Sequence, residues 1–231
     1  MTTVRPSNDG NRPASQTLDR GLLTLELITD SDEPLSVADV AQHLGLHRSI
    51  TYRMLRTLED HGLVERDSEN RYAPGARLAI LARRVAPTLQ SAAMPELTDL
   101  ANDVGMTAFL VVRQADEAVT LAVVEPRHST AHVVYRPGTR HAVTRGAPGL
   151  ALLAGAAPVA GERPEVEEAR KRGWAFSHAE VLPGMRSVAA PVVDRHHTCH
   201  GAVAVVYVET TNRDDLGARV VEAARAVASA L

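Results

Sequence analysis

A single cysteine, Cys199, stands in a chain of 231 residues, so no disulfide can form within it and the chain fits a reducing cytoplasm. No apolar run approaches the ~18 residues that a membrane-spanning helix needs. Residues 1–14, with Pro6, Asn8, Asp9, Gly10 and Pro13, lack the apolar centre of a signal peptide and read as a disordered arm. Signatures of common catalytic sites are missing as well: there is no Gly-x-Gly-x-x-Gly, no P-loop, no His-Glu-x-x-His and no Gly-x-Ser-x-Gly. Cys199 has histidines beside it but no carboxylate to orient a base, so an enzyme is the weaker alternative and no cofactor is implied. Positive charge is also short. The chain carries a formal −3, and residues 1–75 hold eight Arg against twelve Asp or Glu, so affinity for nucleic acid must come from a local stripe.

The run His196-His197-Thr198-Cys199-His200 has the side chains of a zinc site. Five adjacent residues do not wrap a tetrahedron easily, because neighbours on a strand point to opposite faces. The segment reads as a solvated polar turn.

What is present is concentrated in residues 36–75. Ser36 is placed to cap a helix whose Val37, Val40, Ala41 and Leu44 fall on one face at spacings i, i+3, i+4, i+7. Gly45 breaks it, and Gly45-Leu46-His47 leads into a second helix of about four turns with Thr51, Leu55 and Leu58 inward and Gly62 beyond its end. Two short helices joined in this way are a helix-turn-helix. Leu63–Arg66, a polar turn, and Arg71-Tyr72-Ala73 closed by Pro74-Gly75 then read as a hairpin, the wing.

The exposed face of the second helix carries His47, Arg48, Ser49, Tyr52, Arg53 and Arg56, with no acid before Glu59. Arginine can pair bidentately with guanine in the major groove, and a helix N-terminus attracts phosphate. Arg71 on the wing, Arg20 at the start of the first helix, Ser36, and the outlying Arg5 and Arg12 extend the candidate surface for double-stranded DNA. A protein-binding winged helix is the other reading of the same face. So few phosphate contacts would hold a monomer weakly, which predicts a homodimer, or a tetramer, on a roughly palindromic operator.

Residues 76–86 are strongly helical with three Arg and no acid, and read as the core of a linker helix over 76–92 in which Pro87 ends or kinks the run. Its stripe of Leu78, Leu81, Ala82 and Val85 packs against either a neighbouring subunit or its own chain. From 93 onward helices and strands mix. A helix is predicted over 95–104 and strands over 107–114, 118–125, 131–135, 174–177, 187–193 and 201–209. Further helices are predicted over 147–155, 165–172 and 213–231, the last with Val220, Val221, Ala224, Val227 and Ala228 inward. Mostly antiparallel strands with flanking helices give an α+β class.

Several specific segments resemble the IclR family of bacterial transcriptional regulators. These are Ser15–Leu22, Pro34–Val64, Tyr72-Ala73-Pro74-Gly75, Gly138–Ala154, Arg172-Gly173-Trp174-Ala175 and Gly184–Val192. The resemblance implies an N-terminal winged helix-turn-helix over 15–75, a linker helix, and a GAF-like effector domain with an antiparallel sheet over 93–231 that binds a small molecule. Where the family's recognition helix often shows Ser-Thr followed by an aliphatic, this chain has Ser49-Ile50-Thr51, so that Ile50 would face the duplex and touch a thymine methyl. Its lysine before the Ala-Leu-Leu-Ala helix is Leu150 here, and the chain between Ala154 and Arg170 is short for the family. Ligand contacts carry over to Gly146 and Ala147, whose amides open a helix and suit a carboxylate, and to Ser177 and Ser187. Ala204 and Val206 stand where the family has ligand-contacting serines, which implies a ligand with an apolar or aromatic body. Phe109, Val111, Trp174, Phe176 and Met185 are candidates to line its pocket, although core packing alone accounts for any one of them.

Overall fold

The computed structural model describes residues 15–82, 87–128, 133–208 and 215–231. Arg5, Arg12, Val85 and the first two residues of the strand expected at 131–135 lie outside these. The chain divides into two compact units, Met1–Val85 and Ala86–Leu231.

In the first unit, α1 (Gln16–Thr29) is capped by Ser15 and packs its buried Thr24 and Ile28 inward. A two-residue strand, β1 (Leu35–Ser36), leads directly into α2 (Val37–Leu44). Here Ser36 and Asp39 form a reciprocal capping box. Gly45 closes α2 with φ +62, a left-handed turn that glycine adopts without cost, and the Leu46 amide donates back to the Ala41 carbonyl at 2.9 Å. This sharp exit sets the direction of α3 (Arg48–Asp60). β2 (Val64–Arg66) and β3 (Arg71–Pro74) form the wing, and β1 adds to it as a third strand in the order β1-β3-β2, which two residues are too few to announce in sequence. The wing turn is held by Asp67, whose Oδ1 accepts from the Glu69 and Arg71 amides. Ile28, Val40, Leu55, Leu58, Val64 and Tyr72 make the core. The helix α4 (Arg77–Ala82) follows, with Ile80 and Leu81 exposed.

The second unit opens with α5 (Pro87–Val104), which is continuous through Pro95. Pro87 is the first described residue of this helix, and the run 83–86 before it, where the sequence predicts an end or kink, lies outside the described residues. The expected domain boundary at 92/93 falls inside α5. Strands β4 (Thr107–Gln114), β5 (Glu117–Val124) and β6 (Arg140–Ala142) follow, then α6 (Gly146–Gly155), α7 (Pro164–Arg172), β7 (Ala175–His178), β8 (Met185–Val193), β9 (Cys199–Val208) and α8 (Leu216–Ser229). The six strands pair antiparallel in the order β6-β5-β4-β9-β8-β7. Of the strand expected at 131–135, the described residues 133–135 have no strand structure, and the edge of the sheet is completed by Arg140–Ala142. Of the apolar run Val133-Val134-Tyr135 only Tyr135 is buried, Val134 being exposed, and the Val133 carbonyl accepts from Thr107 Oγ1.

Strand alternation sorts the side chains into two cores. Ala108, Leu110, Val188, Ala190, Val203 and Val205 face α5 and α8. Phe109, Val111, Ala189, Ala202, Ala204 and Val206 face α6 and α7. Leu150 is fully buried in the second core, which explains why an apolar residue suits that position. On α6, Gly149 lies so close to the sheet connection that a Cβ there would be 2.3 Å from the Val143 carbonyl oxygen. The N-terminal end of α6 is thereby pinned against the end of β6.

Candidate functional sites

The reading helix α3 buries Thr51, Met54, Leu55 and Leu58 and leaves Arg48, Ser49, Tyr52, Arg53 and Arg56 in solvent. Its N-cap residue His47 makes no side-chain cap; its Nδ1 lies 3.0 Å from Ser49 Oγ instead. The first amides of α3 are thus left for an incoming acceptor, in the half-positive field of a helix start. The arginines are not equivalent. Arg56 is 3.6 Å from both Glu59 and Asp60, and Arg71 on the wing is 3.6 Å from Glu69. Among the described residues no carboxylate pairs with Arg48 or Arg53, so these two carry the uncompensated charge of the face. Arg20 is half-buried on α1, and its carbonyl accepts from Thr24 Oγ1.

Two expected DNA contacts are placed differently. The Ser36 hydroxyl donates to Asp39 Oδ2 at 2.6 Å and accepts from the Asp39 amide, and the residue is half-buried. Its side chain is committed to the cap, which also holds the Asp39 carboxyl below the ordinary carboxylate range. Ile50 is half-buried on the flank of α3, 100° from the buried Thr51, and not at the centre of the exposed face.

In the second unit, a cavity lies where the N-terminus of α6 meets the 179–184 turn between β7 and β8. It brings together Phe109, Gly146, Ser177, Met185, Ser187 and Val206 of the expected residues, and adds Tyr135, His141, Pro148, Glu180, Val181, Leu182 and Arg186. The Phe109 and Tyr135 rings stack tilted at 4.6 Å. Burial lowers the pKa of His141, which favours its neutral form. Val111, Ala147 and Ala204 belong to the same core but lie outside the cavity lining.

Two expected lining residues are elsewhere, for a simple reason of register. In β7, Ala175 and Ser177 point inward, so Phe176 points out and is 38% exposed. Trp174 precedes the strand and packs with the α5/α8 core, under the Arg172 guanidinium 3.8 Å above its ring and against Gly217, where a Cβ would be 2.4 Å from the indole. The polar contacts carry a further surprise. The Ala147 amide donates to Ser177 Oγ and the Gly146 amide to Glu180 Oε2, both at 2.8 Å, so both amides already have partners within the chain. Ser187 Oγ donates to the Val205 carbonyl.

Sequence reasoning missed Tyr135, His141 and Glu180. They come from loops and a short edge strand, and only the closing of the 179–184 turn over α6 makes them neighbours.

The His196–His200 segment is a turn running into the start of β9 and is organised by Asp194, whose carboxylate accepts from the His196 and Thr198 amides and lies 2.8 Å from His200 Nε2. These bonds pull the Asp194 carboxyl down to about 2. Among the described residues no group of three or more His, Cys, Asp or Glu is placed to hold a metal. Burial pushes the Cys199 thiol up, away from the thiolate that nucleophilic chemistry needs. No described helix is long and apolar enough to cross a membrane.

A winged helix-turn-helix with a basic reading helix, followed by a separate sheet domain with an internal cavity, defines a DNA-binding regulator with an effector domain. Residues 17–68 match the IclR helix-turn-helix domain, and residues 163–231 match the bacterial transcriptional regulator IclR C-terminal domain. The chain is 31% identical over 214 residues to the glycerol operon regulatory protein of Streptomyces griseus, covering 82% of this chain and 84% of that protein. It is 32% identical over 202 residues to the HTH-type transcriptional regulator BhcR of Paracoccus denitrificans, covering 77% and 72%. Its fold is that of an IclR homolog from Microbacterium hydrocarbonoxydans, solved in complex with 4-hydroxybenzoate, at a TM-score of 0.77 and 19% identity over 93% of this chain and 98% of that one. The chain belongs to the IclR family of transcriptional regulators and is a regulator, not an enzyme.

Proposed function

We propose that this regulator acts as a homodimer or tetramer on a palindromic operator, and that a small carboxylate with an apolar or aromatic body binds its second unit and modulates that interaction. On DNA, α3 reads the major groove with Arg48, Ser49, Tyr52 and Arg53, while the α3 amides, Arg20 and the wing address phosphates. The observation that carries the ligand reading is the composition of the cavity: apolar Phe109, Tyr135, Met185 and Val206 together with Ser177, Ser187 and the start of α6. Apolar walls with a few convergent polar groups are what a small amphipathic acid needs. The 4-hydroxybenzoate bound by the Microbacterium homolog has this chemistry. The ligand acts by binding two arrangements of the reading helices with different affinity.

A genome-fragment binding selection with purified wild type and the Arg48→Ala/Arg53→Ala variant tests this reading. A palindromic enriched site that the variant loses is expected, and the genes beside it nominate acids to titrate. Absence of enrichment at low salt would make the winged helix a protein-binding module.

A further inference from the structure

The cavity leaves about 30 Å³, space for one or two waters and an order of magnitude below the roughly 300–1,000 Å³ of small-molecule pockets. What takes up the room is the chain itself. The 179–184 turn places Glu180, Val181 and Leu182 in the lining, and a Cβ on Gly146 would sit 2.7 Å from Val181 Cγ2. Only glycine, here at φ +75, lets the turn come down this far. The turn is a self-contained strap: Ala179 and Gly184 at its two ends both have positive φ, and the Ala179 amide donates to the Met185 carbonyl across its base.

One carboxylate buckles it. Glu180 accepts from the two terminal Arg163 guanidinium nitrogens at 3.0 Å and from the Gly146 amide at 2.8 Å. Arg163 is itself anchored to the Thr144 carbonyl and to Glu165, and the Arg145 guanidinium donates to the Glu180 carbonyl. The Arg163 guanidinium holds the Glu180 carboxyl below the usual range, so the buckle is charged at neutral pH. A bidentate, half-buried pair of this kind is among the stronger hydrogen-bonded contacts.

Resting on the reading of the cavity as an effector site, we infer that Glu180 is an internal stand-in for the effector's carboxylate. It keeps the strap shut in the unliganded protein. A monocarboxylate ligand displaces it from the Gly146 amide and Arg163, and the departing strap vacates the volume that the ligand's apolar body occupies. Glu180 is therefore a specificity-determining residue. It sets a threshold affinity, because the apparent Kd is the intrinsic value divided by the fraction of open molecules.

The test uses the full chain as wild type, Glu180→Ala and Glu180→Gln, titrated at constant ionic strength with acetate, benzoate, acetamide and benzamide while Tm is followed. The inference expects both carboxylates to raise the Tm of Glu180→Ala saturably, with apparent Kd values at least tenfold below those of wild type. The two amides should not distinguish the proteins. Glu180→Gln, which keeps an acceptor for Gly146 but no charge for Arg163, should fall between, and it carries the comparison if the alanine variant does not fold. Equal responses of wild type and variants to carboxylates, no saturable response in any variant, or an equal gain for the amides overturns the inference. If Glu180→Ala answers acetate and benzoate alike, the stand-in role holds and the apolar-body reading fails alone. If benzoate binds wild type and variants equally, the ligand reading stands and Glu180 loses its role.

Discussion

Replacing Arg53 with alanine separates base reading from general attraction to DNA. Arg53 is exposed at the centre of α3, among the described residues no carboxylate pairs with it, and its side chain is free to fork onto a guanine edge. A bidentate contact of that kind discriminates by ~1–3 kcal/mol, which is about 5- to 150-fold in affinity per recognition helix. Arg56, one turn on, spends its charge on Glu59 and Asp60 at 3.6 Å, so Arg56→Ala should cost under about 1 kcal/mol. The two variants and Arg20→Ala are compared by fluorescence anisotropy on the selected operator and on a scrambled duplex, over a range of salt. Arg53→Ala should lose affinity for the operator and little for the scrambled duplex, with a nearly unchanged salt slope. Arg20→Ala should weaken both duplexes alike and flatten the slope by about 0.9, as loss of one phosphate contact requires. Parent-like operator binding by Arg53→Ala, or a larger loss in Arg56→Ala, would refute the assignment of the reading face.

Other outcomes follow from the same geometry. Ser36→Ala should destabilise the first unit by about 1 kcal/mol in urea unfolding through loss of the capping box, and leave operator discrimination intact; a change in base preference would return Ser36 to the DNA surface. Gly217→Ala pushes a methyl into the indole of the only tryptophan, so it should cost ~1–3 kcal/mol and shift the Trp174 emission, and a silent substitution would show that α8 is less closely packed than its contacts indicate. Asp194 is held at about 2 against an ordinary 3.8, so the native state binds fewer protons than the unfolded chain between those values. The stability it contributes is present above about pH 4 and lost as pH falls toward 2, and Asp194→Asn should flatten that part of the stability-against-pH curve.

Much of the reading unit was legible because its signals are local. Ser36 and Gly45 bracket α2, the apolar spacing of Thr51, Leu55 and Leu58 sets the face of α3, and a hairpin needs only its alternation and its turn. The strand at 107–114 and the helix ending before Gly173 were equally clear, since each is long or carries its own stop signal. Sequence was weaker where two states share one composition. Val133-Val134-Tyr135 has strand-forming residues but lies in a connection, while Arg140–Ala142, with little β character, is held as an edge strand by β5. Trp174 and Phe176 looked like pocket residues because aromatics near a binding segment usually are. The register of β7 against β8, fixed by Ala175 opposite Ala189, turned Phe176 to solvent and left Trp174 to α8.

By itself the sequence determined a winged helix-turn-helix followed by an α+β domain with mostly antiparallel strands, because hydrophobic period, caps and turn residues act over a few neighbours. Tertiary structure alone decided which arginines keep a free charge, which residues meet at the start of α6, and that Glu180 occupies the place expected for a ligand's carboxylate. Those outcomes depend on side chains brought together from distant parts of the chain: 34 residues separate Gly146 from Glu180, and no local pattern encodes their hydrogen bond.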